Sequence, residues 1–331
     1  MANINNKKIF ITGGAGYVGA ALVPKLLSKG YIVTVYDLLI FGDDVLKKNP
    51  NLKIIKGDIR NTEFLSKYLS NHDIFIHLAC ISNDPSFDLN PKLGKSINFD
   101  SFEPMVKACK KSGVKLFIYA SSSSVYGIKK EKNVHEDMSL EPLTDYSKYK
   151  AQCEKILKKY QSENFTTVVV RPATVCGFSN RQRMDVIVNL LTNQAFNLKQ
   201  IKILGGKQLR PNIHIDDMVN VYLLLIDSPK HLVAGEIFNA GYQNLSVGEI
   251  ANTVKSTLES KIELKIEKTD DLRSYHISSN KIKNTLKFKP KNSVEQAIRD
   301  LKQAFEKNLL PNSLYDEKYF NIKQFEKIDL K

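Results

Sequence analysis

Tyr146 and Lys150 stand four residues apart in a stretch, Asp145 to Tyr160, whose pattern predicts a helix, so both side chains leave one face and can serve one site. A phenol ordinarily titrates at about 10 and is a poor base at neutral pH. A neighbouring ammonium favours the phenolate, which can then accept the proton of an alcohol. Such a pair is common by chance on helix surfaces and gains meaning only from its company.

That company begins with Ser121-Ser122-Ser123-Ser124-Val125-Tyr126-Gly127, which follows a strand-like run ending at Tyr119. In an open parallel sheet, ligands sit beyond the carboxyl ends of the strands, so a hydroxyl at this place can hydrogen-bond a reacting oxygen. Elsewhere the same serines would make an ordinary polar turn.

A third group stands near the start. Gly13-Gly14-Ala15-Gly16-Tyr17-Val18-Gly19 lies between a first strand, Lys8 to Thr12, and a helix from about Tyr17 to Ser28. Glycines there let the backbone turn tightly against a pyrophosphate, whose charge the helix N-terminus stabilises. Asp37 ends the second strand-like run, Tyr31 to Tyr36, where a carboxylate can accept hydrogen bonds from ribose hydroxyls. An anion there repels a 2′-phosphate, and Leu38 and Leu39 bring no compensating cation, so the expected cofactor is NAD rather than NADP. The positive nicotinamide ring would further favour the Tyr146 anion.

The elements that must hold these groups alternate in the first half of the chain. Continuous apolar, β-branched runs at Lys53 to Ile55, Ile74 to Leu78, Leu116 to Tyr119 and Thr166 to Val170 read as buried parallel strands. Helices are expected at Thr62 to Leu69 and Pro104 to Lys111, with Pro104 suited to a first turn. The fold class is therefore α/β, a doubly wound parallel sheet of Rossmann type. Beyond about residue 172 the alternation fades. Ile201 to Leu204, a turn at Gly205-Gly206, Asp216 to Leu225, Ile237 to Asn239, Val247 to Leu258 and Ser293 to Lys307 are the elements expected there. From about Pro311 the chain reads as a polar, poorly ordered extension.

Composition narrows the rest. The chain has 331 residues, enough for a cofactor domain and a smaller lobe. No apolar run reaches the roughly 18 residues of a membrane span. Ile9 to Thr12 runs straight into glycines and reads as a strand, not a signal peptide, so a cytoplasmic location is expected. Cys80, Cys109, Cys153 and Cys176 lack the spacing of a zinc site or a disulfide scaffold, and no metal is expected. A net charge of +14 raises nucleic acid as a partner. The lysines are spread along the chain without an aromatic-interleaved basic tract, so a solvated Lys-rich surface is the reading adopted.

Taken together, the glycine turn, Asp37, the serine run and the Tyr-Lys pair resemble an extended short-chain dehydrogenase/reductase of the NAD-dependent nucleotide-sugar epimerase and dehydratase family, over about residues 7 to 310. The resemblance implies a catalytic set of Ser122, Tyr146 and Lys150. It implies cofactor contacts at Gly13, Gly16, Tyr17, Val18, Gly19, Asp37, Asp58, Ile59, Leu78, Ala79, Cys80, Asn98 and Pro172, besides Tyr146 and Lys150. It implies contacts to a nucleoside-diphosphate sugar at Ser82, Ser123, Ser124, Thr174, Asn189, Arg210 and Arg273, the last lying in Asp271-Leu272-Arg273-Ser274-Tyr275. Guanidinium groups at 210 and 273 suit a diphosphate, since each can give two parallel hydrogen bonds. It also implies an NAD-binding domain over 1–172, with segments near 207–240 returning to it. A smaller α/β substrate-binding lobe would span 173–310, with an extension over 311–331, and the chain would form a homodimer.

Departures from the family pattern are informative. Thr174 and Cys176 stand where the family commonly has asparagine and tyrosine. Ser123 and Ser124 stand where dehydratases of the family carry an Asp-Glu pair, the acid and base for removing water. The expected activity is 4-epimerisation, with 4-dehydrogenation of a GDP-linked hexose or heptose as the alternative and a non-catalytic NAD sensor as a third reading.

Overall fold

The computed structural model describes residues 7–258, 261–269 and 273–327; Asp271 and Leu272 lie outside them. The described residues form twelve strands. These are β1 (Lys8–Thr12), β2 (Ile32–Asp37), β3 (Leu52–Lys56), β4 (Ile74–His77), β5 (Leu116–Ala120), β6 (Thr166–Pro172), β7 (Thr174–Cys176), β8 (Gln200–Leu204), β9 (Leu209–His214), β10 (Ile237–Ala240), β11 (Gln243–Ser246) and β12 (Glu263–Glu267). Seven of them make one sheet in the order β10-β6-β5-β4-β1-β2-β3, and every pairing in it is parallel.

Both faces of this sheet are covered, which is why its strands read as continuous apolar runs. Alternate side chains go to opposite layers. Ile9, Ile11, Val33, Val35 and Ile76 face one layer together with Leu22 and Met218, from the helices Gly19–Ser28 and Ile215–Asp227. Phe10, Phe75 and Phe117 face the other, stacked 5.4 and 4.9 Å apart by ring centroid, against the helices Phe102–Lys111 and Asp145–Tyr160. Burying each such ring contributes on the order of 1.5–3 kcal/mol. Strand order reverses at β1 between β2 and β4, and the crevice above that point opens at the carboxyl ends of the strands.

The remaining strands form a three-stranded sheet, β11-β9-β7, and a parallel β8-β12 pair. The helices Ile187–Leu198, Val247–Leu258 and Val294–Glu306 pack over them around Val188, Ile250 and Ile298. β10 does not stay with this lobe; it pairs with β6 in the main sheet, Phe238 beside Val170.

Two expectations are corrected. The helix near Pro104 begins at Phe102, directly after a π-helical turn over Ser96–Asp100, so Pro104 is its third residue. Pro104 still falls in the first turn, the place expected of it. The segment after Pro311 is packed, not loose. Ser313 exchanges hydrogen bonds with Asn193, Tyr319 is buried with Met184 and Leu310, and a helix follows at Asn321–Lys327. Its apolar residues are scattered among lysines, which hid their common destination.

Candidate active site

The crevice holds a cleft of about 840 Å³. At one end stands the glycine turn. Gly13 has φ +74°, and a Cβ there would lie 2.5 Å from the Ala79 nitrogen and 2.8 Å from the Leu78 carbonyl carbon. A Cβ on Gly19 would lie 2.4 Å from the Gly14 oxygen. So Gly13 lets the turn press against the Leu78–Cys80 loop, and Gly19 lets the helix close onto the turn. The helix Gly19–Ser28 has Val18 at its N-cap and no acid in its first turn, so no side chain caps it and its N-terminus is free to favour an anion.

Asp37 closes the end of the cleft beside the glycine turn. Its Oδ2 accepts from the Ala15 N–H at 3.0 Å and its Oδ1 from the Leu39 N–H at 2.8 Å. Burial raises its pKa, while those backbone N–H groups oppose the rise. Spare lone pairs on both oxygens can accept from a ribose. Asp58 and Ile59 also line this end, with the Asp58 carboxylate held by Arg60 at 2.6 Å. Gly16, Tyr17, Val18, Leu78, Ala79, Cys80 and Pro172 complete the wall.

Asn98 and Asn189 do not reach the cleft. The Asn98 amide is consumed by the Ile81 main chain, accepting from its N–H at 2.8 Å and donating to its carbonyl at 2.9 Å. Asn189 donates to the Tyr17 hydroxyl at 3.0 Å and to the Arg183 carbonyl at 2.8 Å. Both are fully engaged braces: one fixes the loop beneath the cleft, the other fixes Tyr17, whose hydroxyl donates to Gly177.

At the other end lie Ser122, Tyr146 and Lys150. The helix carrying the last two starts at a capping box in which Thr144 accepts from the Ser147 N–H and Ser147 answers. Ser122 Oγ is 2.8 Å from Ser124 Oγ. Lys150 donates to the Ala120 carbonyl at 2.7 Å, with its ammonium 5.8 Å from the centre of the Tyr146 ring. Desolvation, aided by Cys80 and Asp84, pushes the Tyr146 phenol well above its ordinary pKa, against Arg183 and a hydrogen bond from Ser122. The lowering expected from Lys150 is thus not the dominant effect in the protein alone.

Around this end Ser82, Ser123, Ser124, Thr174, Arg210 and Arg273 line the cleft. Arg273 pairs with Asp84 at 2.5 Å, and the Arg210 guanidinium donates to the Arg273 main-chain carbonyl. Cys176 is buried, with its thiol on the Ile213 carbonyl, and offers nothing to the cleft.

Sequence reasoning missed two features. Glu154 lies one further turn along the face that carries Tyr146 and Lys150, and that spacing could have revealed it. Its carboxylate binds Arg171 and the Ser121 hydroxyl, both buried, and so joins the Asp145–Tyr160 helix to the serine run. Arg181 and Arg183, in the Ser179–Asp185 loop, also line the cleft, and nothing in their spacing marked them.

The model of the NAD dependent epimerase/dehydratase family matches residues 9–241. The chain belongs to this family. Among similar proteins, the UDP-glucose 4-epimerase of Lactobacillus helveticus is 26% identical over 86% of this chain and 92% of its own length. The uncharacterized UDP-glucose epimerase YtcB of Bacillus subtilis is 31% identical over 75% of this chain and 81% of its own. The UDP-glucuronic acid 4-epimerase of Bacillus cereus, solved with UDP-glucuronic acid and NAD, superposes with a TM-score of 0.80 at 27% identity, covering 89% of this chain and 99% of that one. Proteins named dTDP-D-glucose 4,6-dehydratase match as well. NAD is the cofactor, as in the Bacillus cereus relative solved with it, and the glycine turn with Asp37 at its end has the shape and charge to hold it.

Proposed function

We propose that the protein is a nucleoside-diphosphate-sugar 4-epimerase, with Ser122, Tyr146 and Lys150 as its catalytic residues. The observation that carries this reading is the pair of hydroxyls, Ser123 and Ser124, lining the cleft next to Ser122. Eliminating water from a 4-keto sugar needs a free acid and a free base beside the ring. The nearby carboxylates are committed elsewhere: Asp84 to Arg273 and Thr144, Asp185 to Arg183 at 2.6 Å. The 4-epimerases among the relatives support the same choice.

NAD, held by the glycine turn and Asp37, would supply acceptance of a hydride from sugar C4 and its return. The chain's own residues manage the proton and the pose. The Tyr146 oxygen accepts the C4 hydroxyl proton and gives it back to the inverted alcohol. Ser122, steadied by Ser124, hydrogen-bonds the same oxygen. Lys150, fixed on the Ala120 carbonyl, keeps a positive charge beside the phenol and favours its anion. Arg210 and Arg273 bind the diphosphate, leaving the sugar to turn between them and Tyr146.

The test is to incubate the NAD-loaded protein with UDP-glucose, UDP-glucuronic acid and GDP-linked hexoses and to identify products by NMR. A C4 epimer without net reduced cofactor supports the proposal. A ketone formed with equimolar reduced cofactor identifies a dehydrogenase, and a 6-deoxy-4-keto sugar identifies a dehydratase; either outcome overturns it.

A further inference from the structure

Arg181 is 4% exposed, yet it carries no ion pair with a carboxylate among the described residues, and its Nε has no hydrogen-bond partner. Its neighbour Arg183 is neutralised by Asp185, so the two differ in kind. Arg181 lines the cleft at the cofactor end, its guanidinium carbon 3.4 Å from the centre of the Phe41 ring, in the loop that follows Asp37. A buried cation with an idle donor, in the wall of a cleft that the glycine turn also lines, is suited to a pyrophosphate.

What holds Arg181 is the C-terminal segment. Asn321 spends its main-chain N–H and its side chain on two segments, the Arg181 loop and the stretch after β4 that holds Ser82. Its Oδ1 accepts from Arg181 Nη2, its Nδ2 donates to Ser82 Oγ at 2.9 Å, and its backbone N–H donates to Asp185 Oδ2 at 3.1 Å. One turn on, Phe325 meets Phe41 edge to face at 6.3 Å, and Ile322 and Phe325 both line the cleft. The segment therefore touches both sides of the cofactor end, the Phe41 loop and the Arg181 loop. It lies beyond residues 9–241, which the family model matches.

We propose that Arg181 binds the pyrophosphate of NAD and that residues 316–327, latched through Asn321 and Phe325, form a strap that slows release of the dinucleotide. This rests on the NAD reading of the cleft. A retained dinucleotide is what an epimerase needs, because the hydride it takes must go back to the same sugar, whereas a dehydrogenase must exchange its cofactor each turn.

The test uses the full chain, stripped of nucleotide. Calorimetry with NAD, and separately with UDP on NAD-saturated protein, distinguishes the two diphosphates the cleft could hold. Displacement of fluorescent NADH by excess NAD gives the release rate. For Arg181→Gln we expect NAD affinity to fall at least tenfold with UDP affinity changed less than threefold. For Asn321→Ala and Phe325→Ala we expect NADH release at least tenfold faster. Phe325 is only partly buried, so its variant carries the test should Arg181→Gln fail to fold, together with Arg181→Lys, which keeps the charge. Release unchanged within twofold in Phe325→Ala overturns the strap. Loss of UDP binding with NAD binding intact in Arg181→Gln overturns the assignment of the guanidinium. Wild-type protein that binds no NAD overturns the cofactor reading itself, a separate result.

Discussion

Glu154 on the helix Asp145–Tyr160 and Arg171 on β6 form a buried fork-to-fork ion pair, with Nη2 2.6 Å from Oε2 and Nε 3.0 Å from Oε1. The same carboxylate takes the Ser121 hydroxyl, and the same guanidinium donates to Tyr126 at 2.7 Å, which donates in turn to Asn239 on β10 at 2.8 Å. One network thus spans the catalytic helix, the serine run and two strands. Removing one partner leaves an uncompensated buried charge, so Glu154→Ala should cost about 3–5 kcal/mol. Urea unfolding checks this; a loss below about 1 kcal/mol would show the pair is better hydrated than its burial implies.

As the proposed general base, Tyr146 acts only after losing its proton, and burial holds that proton more tightly. The phenolate fraction therefore grows as pH rises, and turnover should climb from neutral toward alkaline pH. Tyr146→Phe should reduce turnover by about 100- to 10,000-fold, the usual worth of a general base, while NAD binding persists. Rate profiles for both proteins, beside NAD calorimetry, provide the check.

His77 sits at the end of β4, fully enclosed, with Nδ1 2.7 Å from the Thr12 hydroxyl. Burial, with Lys150 adding to it, depresses its pKa from 6.5 to about 3. A group depressed on folding contributes stability above its unfolded pKa and loses it as pH falls toward the folded value. Stability should then decline from about pH 6.5 toward about pH 3, by as much as about 1.4 kcal/mol per unit from this one group. Denaturant midpoints for wild type and His77→Gln should converge as pH falls; parallel curves would exclude His77 as the source.

Gly13→Ala places a Cβ within 2.5 Å of main-chain atoms at a positive φ. Because no flexible side chain can yield there, the turn must shift away from the Leu78–Cys80 loop. NAD affinity should drop at least tenfold with the rest of the fold retained, as calorimetry and circular dichroism would show.

Arg273→Ala removes a proposed diphosphate ligand and also frees Asp84. If the arginine serves binding alone, KM rises with kcat little changed. Should kcat collapse instead, Asp84 released beside Tyr146 is the first suspect, and Asp84→Asn in the same background would restore the rate.

Local patterns made the first half of this fold readable. β1, the glycine turn and Asp37 are adjacent in sequence, and the catalytic helix carries its own start signal in Thr144 and Ser147. The three-stranded β11-β9-β7 sheet was missed because β9 holds Pro211 and Asn212, shows no alternation, and takes its partners from distant segments. Arg181 was invisible for the same reason: its meaning comes from Phe41 and Asn321, which no short window contains. Asn98 and Asn189 were placed by likeness to a pattern, and only their hydrogen-bond partners show that they brace the cleft from behind.

The pairing of β10 with β6 has a bearing on how this chain emerges from the ribosome. Until residue 240 has left the exit tunnel, β6 is an apolar ladder open along one side, ready to recruit any extended neighbour. Nascent chains shorter than this should therefore need chaperone cover, and C-terminal fragments supplying β10 in trans should rescue their solubility.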